Sequence, residues 1–415
     1  MPSTLAEEIA PQAMGPTAPT GLEAALLTGG VDRPYALGLA RALILKGVGL
    51  DVIGSDEVDS PEMHSTPHLR FLNLWPPARA RAPLAAKLWR ILRHYAALMR
   101  YAALARPPVF HILWNSKIQL FDRTLLMLYY RMLGKKVALT AHNVNQGKRD
   151  GNDSWLNRFT LRVQYRLCNH IFVHTRKMRN ELVEDFGVPE QSVTVIRHPV
   201  NDAFPDTDLT SEKAKRRLGI GDEEKTMLCF GRIKPYKGIE HLLAACRKLM
   251  AGDPSYRLII AGEVQRGHEP YMDSLRQSAA RELENGQIIL KTQFIPDQEM
   301  ELYLKAADVM VLPYNEIFQS GVLFLGYSFG LPVIATDVGS FREEIVEGQT
   351  GYLARPADPD DLARTIETYF ASSLYRHLGA RRQQIKDHAE VHHSWGAVAE
   401  LTRNVYAELL RRPTT

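Results

Sequence analysis

The sequence predicts an α/β protein built from two doubly wound, Rossmann-like domains, and three observations carry that prediction. Short β-like runs alternate with helical patterns from Leu22 onward, which is the rhythm of parallel sheets covered by helices. The rhythm pauses once, at "HPVNDAFPDTDLTSEKAKRRLGIGDEEK", where Pro, Asp and Thr cluster, and then restarts. The length of 415 residues, with 45% hydrophobic and 24% charged, exceeds what one small core accommodates.

Residues 1–20 are rich in Pro, Ala and Thr without apolar periodicity, so they read as a flexible tail. They lack the basic start and continuous apolar core of a secretory signal. An N-terminal domain is expected over 21–203, with strands at Leu22 to Thr28, Leu50 to Gly54, Val109 to Leu113, Lys136 to Thr140, His170 to His174 and Ser192 to Arg197. Helical patterns at Pro34 to Lys46 and Trp155 to Cys168 lie between them. A C-terminal domain is expected over 204–390, with strands in "TMLCFG", "YRLIIAGE", "GQIILKTQF", "DVMVLPY" and "LPVIATDVG". The Asp-rich start of "DPDDLARTIETYF" suits a helix N-terminus. Residues 391–415 read as a final amphipathic helix. Two such halves would face one another across a shared cleft at their switch points.

No run approaches the roughly 18 apolar residues of a membrane-spanning helix. Three widely spaced cysteines, Cys168, Cys229 and Cys246, suit neither a disulfide framework nor a zinc site, which leads to the expectation of a reducing, cytoplasmic setting.

Four segments fall at the carboxyl ends of expected strands, where open α/β sheets bind ligands. Gly29 and Gly30 let a backbone approach a ligand at the mouth of a helix, with a simple tight turn as the alternative. In "CFGRIKPYKGIEHLL", Arg232 and Lys237 flank a helix opened by Gly238, and two cations beside a helix N-terminus make a diphosphate site. In "NEIFQSGVLFLGYSFG", Ser320 and Gly321 open a helix whose first amides receive anionic or hydroxyl oxygens, while Glu316 accepts from sugar hydroxyls. Together these describe a loop built for a phosphate attached to a polyol. His142, at the end of "ALTAH", is placed to donate to a substrate or to stabilise charge near a reacting carbon. No strand-end Asp-x-Asp suggests a metal, and Asp358, Asp360 and Asp361 read as the helix start.

Taken together, "FGRIKPYKGIEHLL", "LIIAGE", "AADVMVLPY", "GLPVIATDVGSFREEIVEGQTGYL" and "TAHNV" resemble a family 4 retaining glycosyltransferase of the GT-B fold. The resemblance implies sugar transfer from a UDP- or GDP-linked donor with retention, without a bound metal or other cofactor. It implies that Arg232 and Lys237 hold the donor diphosphate, that His142 contacts the donor sugar, that Glu316 reads its hydroxyls, and that Ser320 and Gly321 supply backbone donors. It also implies a front-face route, in which the departing phosphate accepts the acceptor's proton, and a final helix crossing back to the N-terminal domain. The chain departs from the family where a second glutamate is usual. Counting from Glu316 reaches Phe324 and counting from Gly330 reaches Leu325, neither of which accepts a ribose hydroxyl.

Between Ala78 and Pro108 there are seven Arg or Lys residues and no acidic ones. At about 100° per residue, Leu84, Leu88, Ile91, Leu92, Tyr95, Leu98 and Met99 share one side, expected to pack on the first sheet. Lys87, Arg90, Arg93, His94 and Arg100 share the other, with Trp89 at its edge. That basic side fits anionic lipid on the inner face of the plasma membrane, with a plain solvated face as the alternative. Nucleic acid fits less well, since no aromatic-and-basic sheet face or recognition helix accompanies the stripe. With a membrane, the acceptor becomes a saccharide or lipid-linked saccharide in exopolysaccharide or surface glycan assembly. The competing readings are a nucleotide-sugar epimerase and a catalytically silent nucleotide-sugar-binding subunit.

Overall fold

A computed structural model describes residues 21–75, 83–149, 153–200 and 207–411. The tail expected over 1–20 and the boundary expected at 203/204 lie outside these residues.

The described strands form two sheets. The first has seven strands in the order β3-β2-β1-β4-β5-β6-β7. They are β1 (Leu22–Leu27), β2 (Val48–Gly54), β3 (Leu69–Asn73), β4 (Val109–Ile112), β5 (Lys136–Ala141), β6 (His170–Val173) and β7 (Val193–Val195). The second has six, in the order β10-β9-β8-β11-β12-β13. Its strands are β8 (Lys225–Phe230), β9 (Tyr256–Ala261), β10 (Ile288–Lys291), β11 (Val309–Leu312), β12 (Val333–Thr336) and β13 (Gly351–Ala354). Each described pairing is parallel, as in Leu26 opposite Val52 and Leu228 opposite Ile259. Strands β4, β6, β11 and β12 are buried along their whole length, which is why they read as unbroken apolar runs. Strand order reverses between β1 and β4 in one sheet and between β8 and β11 in the other, so each sheet has its own switch point. Each sheet is a parallel, doubly wound α/β layer of the Rossmann-like kind.

The chain clusters into two compact units, residues 1–139 with 396–415 and residues 140–395. We call them unit 1 and unit 2. The Trp395–Arg411 helix joins unit 1, where its Tyr406 hydroxyl lies 2.6 Å from His111 Nδ1 in the core and Glu400 pairs with Lys46 at 3.0 Å. In unit 2, the Pro359–Ala371 helix starts as its acidic residues suggest, with Asp358 accepting from the Asp361 amide at 2.9 Å. Beneath it a buried ion pair, Lys215 to Asp308 at 2.9 Å, ties the Ser211–Arg217 helix to β11. Two edge strands, β3 and β13, extend what the sequence indicated.

The Leu84–Leu104 helix corrects an expectation. It buries His94, Tyr95, Leu98 and Ala102, while Leu84, Leu88 and Leu92 are exposed. His94, expected on the solvent side, is stacked on Trp75 with ring centres 3.7 Å apart. The cause is polar: the His94 ring nitrogens reach the Leu74 carbonyl at 3.1 Å and Ser116 Oγ at 3.3 Å, and the Tyr95 hydroxyl accepts from the Ile118 amide at 2.9 Å. These bonds fix which arc faces inward. Lys87, Trp89, Arg93 and Arg100 are exposed, and Arg90 is half-buried at a cavity rim.

Candidate active site

In unit 2 the switch point of the second sheet is shaped by two glycines. Gly238 has φ +60°, and a Cβ there would lie 2.1 Å from the Pro313 carbonyl, so no other residue permits this turn. The turn throws Lys237 inward. Its side chain is 3% exposed, its Nζ donates to the Phe230 carbonyl at 2.9 Å and sits 5.3 Å from the centre of the Tyr314 ring. Gly231, with φ +94°, makes room for the ammonium, since a Cβ there would meet Nζ at 3.0 Å. Among the described residues no carboxylate pairs with Lys237, and burial lowers its pKa. A buried cation met by one carbonyl is costly. Arg232 is exposed beside it.

After β11, Asn315 and Glu316 are exposed while Ile317 and Phe318 turn inward. Buried Ser320 then occupies the N-cap position of the Gly321–Ser328 helix without a side-chain capping bond. Among the described residues, a Cβ built on Gly321 would meet nothing closer than His198 at 4.0 Å, so there is room beside the first turn of this helix. Phe324 and Leu325 are both buried. Phe324 stacks on His198, with centroids 5.2 Å apart and planes within 6°, so that position packs the core and presents no acceptor.

His142 follows β5 and belongs to a row of histidines that the sequence reading missed. Its Nδ1 lies 3.0 Å from His174 Nε2. His174 Nδ1 lies 3.1 Å from the Ile196 carbonyl, which can only accept. His174 therefore carries its proton on Nδ1, and its Nε2 accepts from His142 Nδ1–H. Burial drives the His174 pKa down to about 3 and that of His198 to about 4, so both rings are neutral near pH 7. His393 completes the row, reaching the His198 carbonyl at 3.0 Å and Glu344 at 3.2 Å. The available signal was a histidine closing both "HIFVH" and "VIRH", each at a strand's carboxyl end. Glu316 acts weakly on half-buried Glu181, whose carboxyl is raised mainly by burial.

Lys237, Ser320, Gly321, Glu316, Arg232 and His142 are all parts of unit 2. Gly29 and Gly30 belong to unit 1. Their φ values are +62° and +79°, and added Cβ atoms would meet the Asn115 carbonyl at 2.7 Å and Trp75 at 3.0 Å. The close approach that requires glycine there is made by the protein's own chain. Among the described residues no cluster of three His, Cys, Asp or Glu is arranged to hold a metal.

Comparison with known proteins agrees with this geometry. Residues 28–204 match the family profile described as Glycosyltransferase Family 4, and residues 210–390 that described as Glycosyl transferases group 1. A D-inositol 3-phosphate glycosyltransferase of Corynebacterium aurimucosum is 30% identical over 246 residues, covering 58% of this chain and 57% of that protein. One from Geodermatophilus obscurus is 32% identical over 225 residues, covering 52% and 48%. The chain thus spans about half the length of the curated relatives it matches. Among solved structures, sucrose-phosphate synthase from Thermosynechococcus elongatus superimposes with a TM-score of 0.73 at 20% identity, covering 94% of this chain and 99% of that one. Anabaena HepE in complex with UDP-glucose gives 0.70 at 15%, covering 94% and 99%; at such identities the likeness is one of fold. The chain therefore joins a Glycosyltransferase Family 4 domain to a Glycosyl transferases group 1 domain.

Proposed function

We propose that this protein is a retaining, metal-independent glycosyltransferase that moves a sugar from a UDP- or GDP-linked donor to a saccharide or lipid-linked saccharide. The observation that carries the reading is the Lys237 ammonium, buried at a switch point without a counter-ion. A donor diphosphate supplies the missing negative charge. Arg232, exposed and next to Gly231 in the chain, and the first amides of the Gly321–Ser328 helix add to the same anion site in this reading.

In the reaction the bond from the sugar's anomeric carbon to the phosphate oxygen breaks. A bond to an acceptor hydroxyl oxygen forms on the same face, and the acceptor's proton passes to the departing phosphate. Lys237 and Arg232 neutralise the charge that develops on that phosphate, the kind of fixed electrostatic support that lowers such barriers most. His142, held by His174, contacts the donor sugar, and Glu316 accepts from its hydroxyls. The Leu84–Leu104 helix brings the enzyme to an anionic bilayer on the cytoplasmic side. Its exposed Leu84, Leu88, Trp89 and Leu92 lie beside Lys87, Arg93 and Arg100, and among the described residues no helix is long and apolar enough to cross a membrane.

The test is a panel of UDP-, GDP-, ADP- and dTDP-sugars without acceptor, with released nucleotide and sugar followed by mass spectrometry and Lys237→Ala as control. Slow release from one donor, lost in the variant and indifferent to EDTA, is the expected result. An isomerised sugar still on its nucleotide would replace the reading with an epimerase. Tight donor binding without turnover, with or without added saccharides, would replace it with a silent binding subunit.

A further inference from the structure

In unit 2 the Trp155–Leu167 helix begins with side chains that the protein leaves uncovered. Trp155 is 77% exposed, Leu156 49% and Phe159 48%. Single apolar side chains scattered over a surface are ordinary. These three fall within the first five residues of one helix, and the Trp155 and Phe159 rings stack with centres 5.5 Å apart and planes within 14°. The inward face is Thr160, Leu161, Gln164 and Tyr165. At about 100° per residue, the line opposite that face runs through Trp155, Phe159, Arg162 and Arg166. It is aromatic at its start and cationic toward its end, along a helix roughly 20 Å long.

The helix holds three arginines and no acidic residue. Arg158 pairs with Asp153 at 2.6 Å, while Arg162 and Arg166 are exposed and form no ion pair among the described residues. Polar bonds hold the first turn in place. Ser154 accepts from the Asn157 amide at 3.2 Å, Asp153 accepts from Asn145 at 3.0 Å and from Arg158 at 2.7 Å, and Asn157 donates to Asn145 at 2.9 Å. Buried Asn145 comes three residues after His142, so their Cα atoms are no more than roughly 11 Å apart. The uncovered rings thus stand on a fixed base that is fastened to the loop carrying His142.

We propose that this helix docks on an anionic lipid bilayer, as a contact separate from the Leu84–Leu104 helix of unit 1. Trp155, Leu156 and Phe159 enter the boundary between headgroups and acyl chains, and Arg162 and Arg166 meet lipid phosphates. Charge selects this occupant. Arginines with no acidic counterpart on their helix complement an anionic surface, and aromatic rings settle where one side is apolar and the other wet. A second copy of the chain fits worse, because a two-fold contact sets the patch against itself and brings like charges together. Docking here sets the bilayer beside the His142 loop, where a lipid-linked acceptor is then presented; in that respect alone the inference rests on the transferase reading above.

The experiment uses the full chain with Trp89→Phe, which leaves Trp155 as the exposed tryptophan. Brominated phosphatidylserine vesicles are expected to quench its emission, brominated phosphatidylcholine vesicles much less, and added Trp155→Phe to remove the quenching. In vesicle sedimentation, Trp155→Ser is expected to weaken partitioning about tenfold. Arg162→Gln with Arg166→Gln is expected to weaken it roughly thirtyfold, about fivefold per cation. All of these side chains are exposed, so folding is not at stake. No quenching by either lipid, equal quenching by both, quenching that survives Trp155→Phe, or partitioning unchanged in both variants overturns the proposal. So does a dimer that Trp155→Ser dissolves, which would give the surface to a second copy. Nucleotide release from the donor panel, followed in parallel, separates the two readings. Trp155 quenching without turnover of any donor removes the transferase alone, and turnover by a chain whose Trp155 ignores vesicles removes the contact alone.

Discussion

At the end of β8 the protein buries a cation, Lys237, with one carbonyl for company; in the helix after β4 it buries a carboxylate, Asp122, with the Tyr95 hydroxyl and the Ser116 amide acting on it. Both positions lie at switch points, and in both burial disfavours the charged form. The surroundings differ. Lys237 shares its loop with a second cation, the exposed Arg232, and has no carboxylate partner among the described residues, so an anion is what it lacks. Asp122 has an amide and a hydroxyl acting on it, and burial still raises its carboxyl. A buried charge that its neighbours leave without a counter-charge thus marks a site, and what it lacks tells the ligand's chemistry.

The comparison is sharpest in the acid response. His174 and His198 of unit 2 are held neutral by burial, at about 3 and about 4, against about 6.5 in an unfolded chain. Their contribution to stability is complete above pH 6.5 and is lost as pH falls toward 4, by roughly 3–6 kcal/mol. Protection factors of amides in residues 140–395, that is, exchange corrected for the intrinsic rate at each pH, are expected to fall over that window, and His174→Phe to flatten the fall. A pH-independent protection factor would remove the neutral histidine row from the account.

Lys237→Ala is expected to lower donor turnover by roughly 10²–10³-fold, as loss of one preorganised charge-stabilising group does. Lys237→Arg is not expected to rescue it, because a guanidinium does not fit the space beside Gly231. Retention of activity in the alanine variant would sink the contrast between the two positions.

Unit 1 responds in the opposite sense. The Asp122 carboxyl, raised to about 6, contributes stability below its unfolded value of about 3.9 that is lost as pH rises toward 6. Asp122→Asn is therefore expected to stabilise unit 1 near pH 7 by up to roughly 3 kcal/mol, read by the same exchange experiment on residues 21–139. Destabilisation would mean that the Tyr95 hydroxyl and the Ser116 amide outweigh burial.

The smallest effect concerns surfaces. Arg93→Gln with Arg100→Gln is expected to weaken binding to phosphatidylserine vesicles by about 2 kcal/mol, near 1 kcal/mol per cation. Unit 2 has its own exposed aromatic pair, Trp155 stacked on Phe159 at 5.5 Å. If Trp155→Ser costs more than the double arginine change, the membrane-facing surface belongs to the other unit.

Much of the fold could be read directly because central parallel strands are buried on both faces and therefore write themselves as apolar runs. Strands β3 and β13 escaped because neither is a continuous buried run: β3 has no fully buried residue, and β13 is buried only at its two ends. "LRFLN" alternates, and "GYLA" is only four residues long. The face of the Leu84–Leu104 helix was misassigned for a different reason. Its buried arc is set by what His94 and Tyr95 hydrogen-bond to, which a hydrophobic wheel does not weigh. Lys237 was legible through Gly231 and Gly238, whose backbone demands leave a mark in sequence. The histidine row left a fainter mark, a histidine closing "HIFVH" and "VIRH", because the adjacency of His142, His174 and His198 exists only across the sheet. Asp122 was invisible, since a lone acid in "QLFDR" resembles any exposed helix residue.

The bond between His111 and Tyr406 has a consequence for biosynthesis. The unit that begins the chain is closed by its last described helix, while unit 2 is encoded entirely between those two parts. On the ribosome, unit 2 therefore has all of its residues before unit 1 does. Domains ordinarily mature from the N-terminus forward; here residues 21–139 meet the helix that supplies Tyr406 only after residues 140–395 have been made.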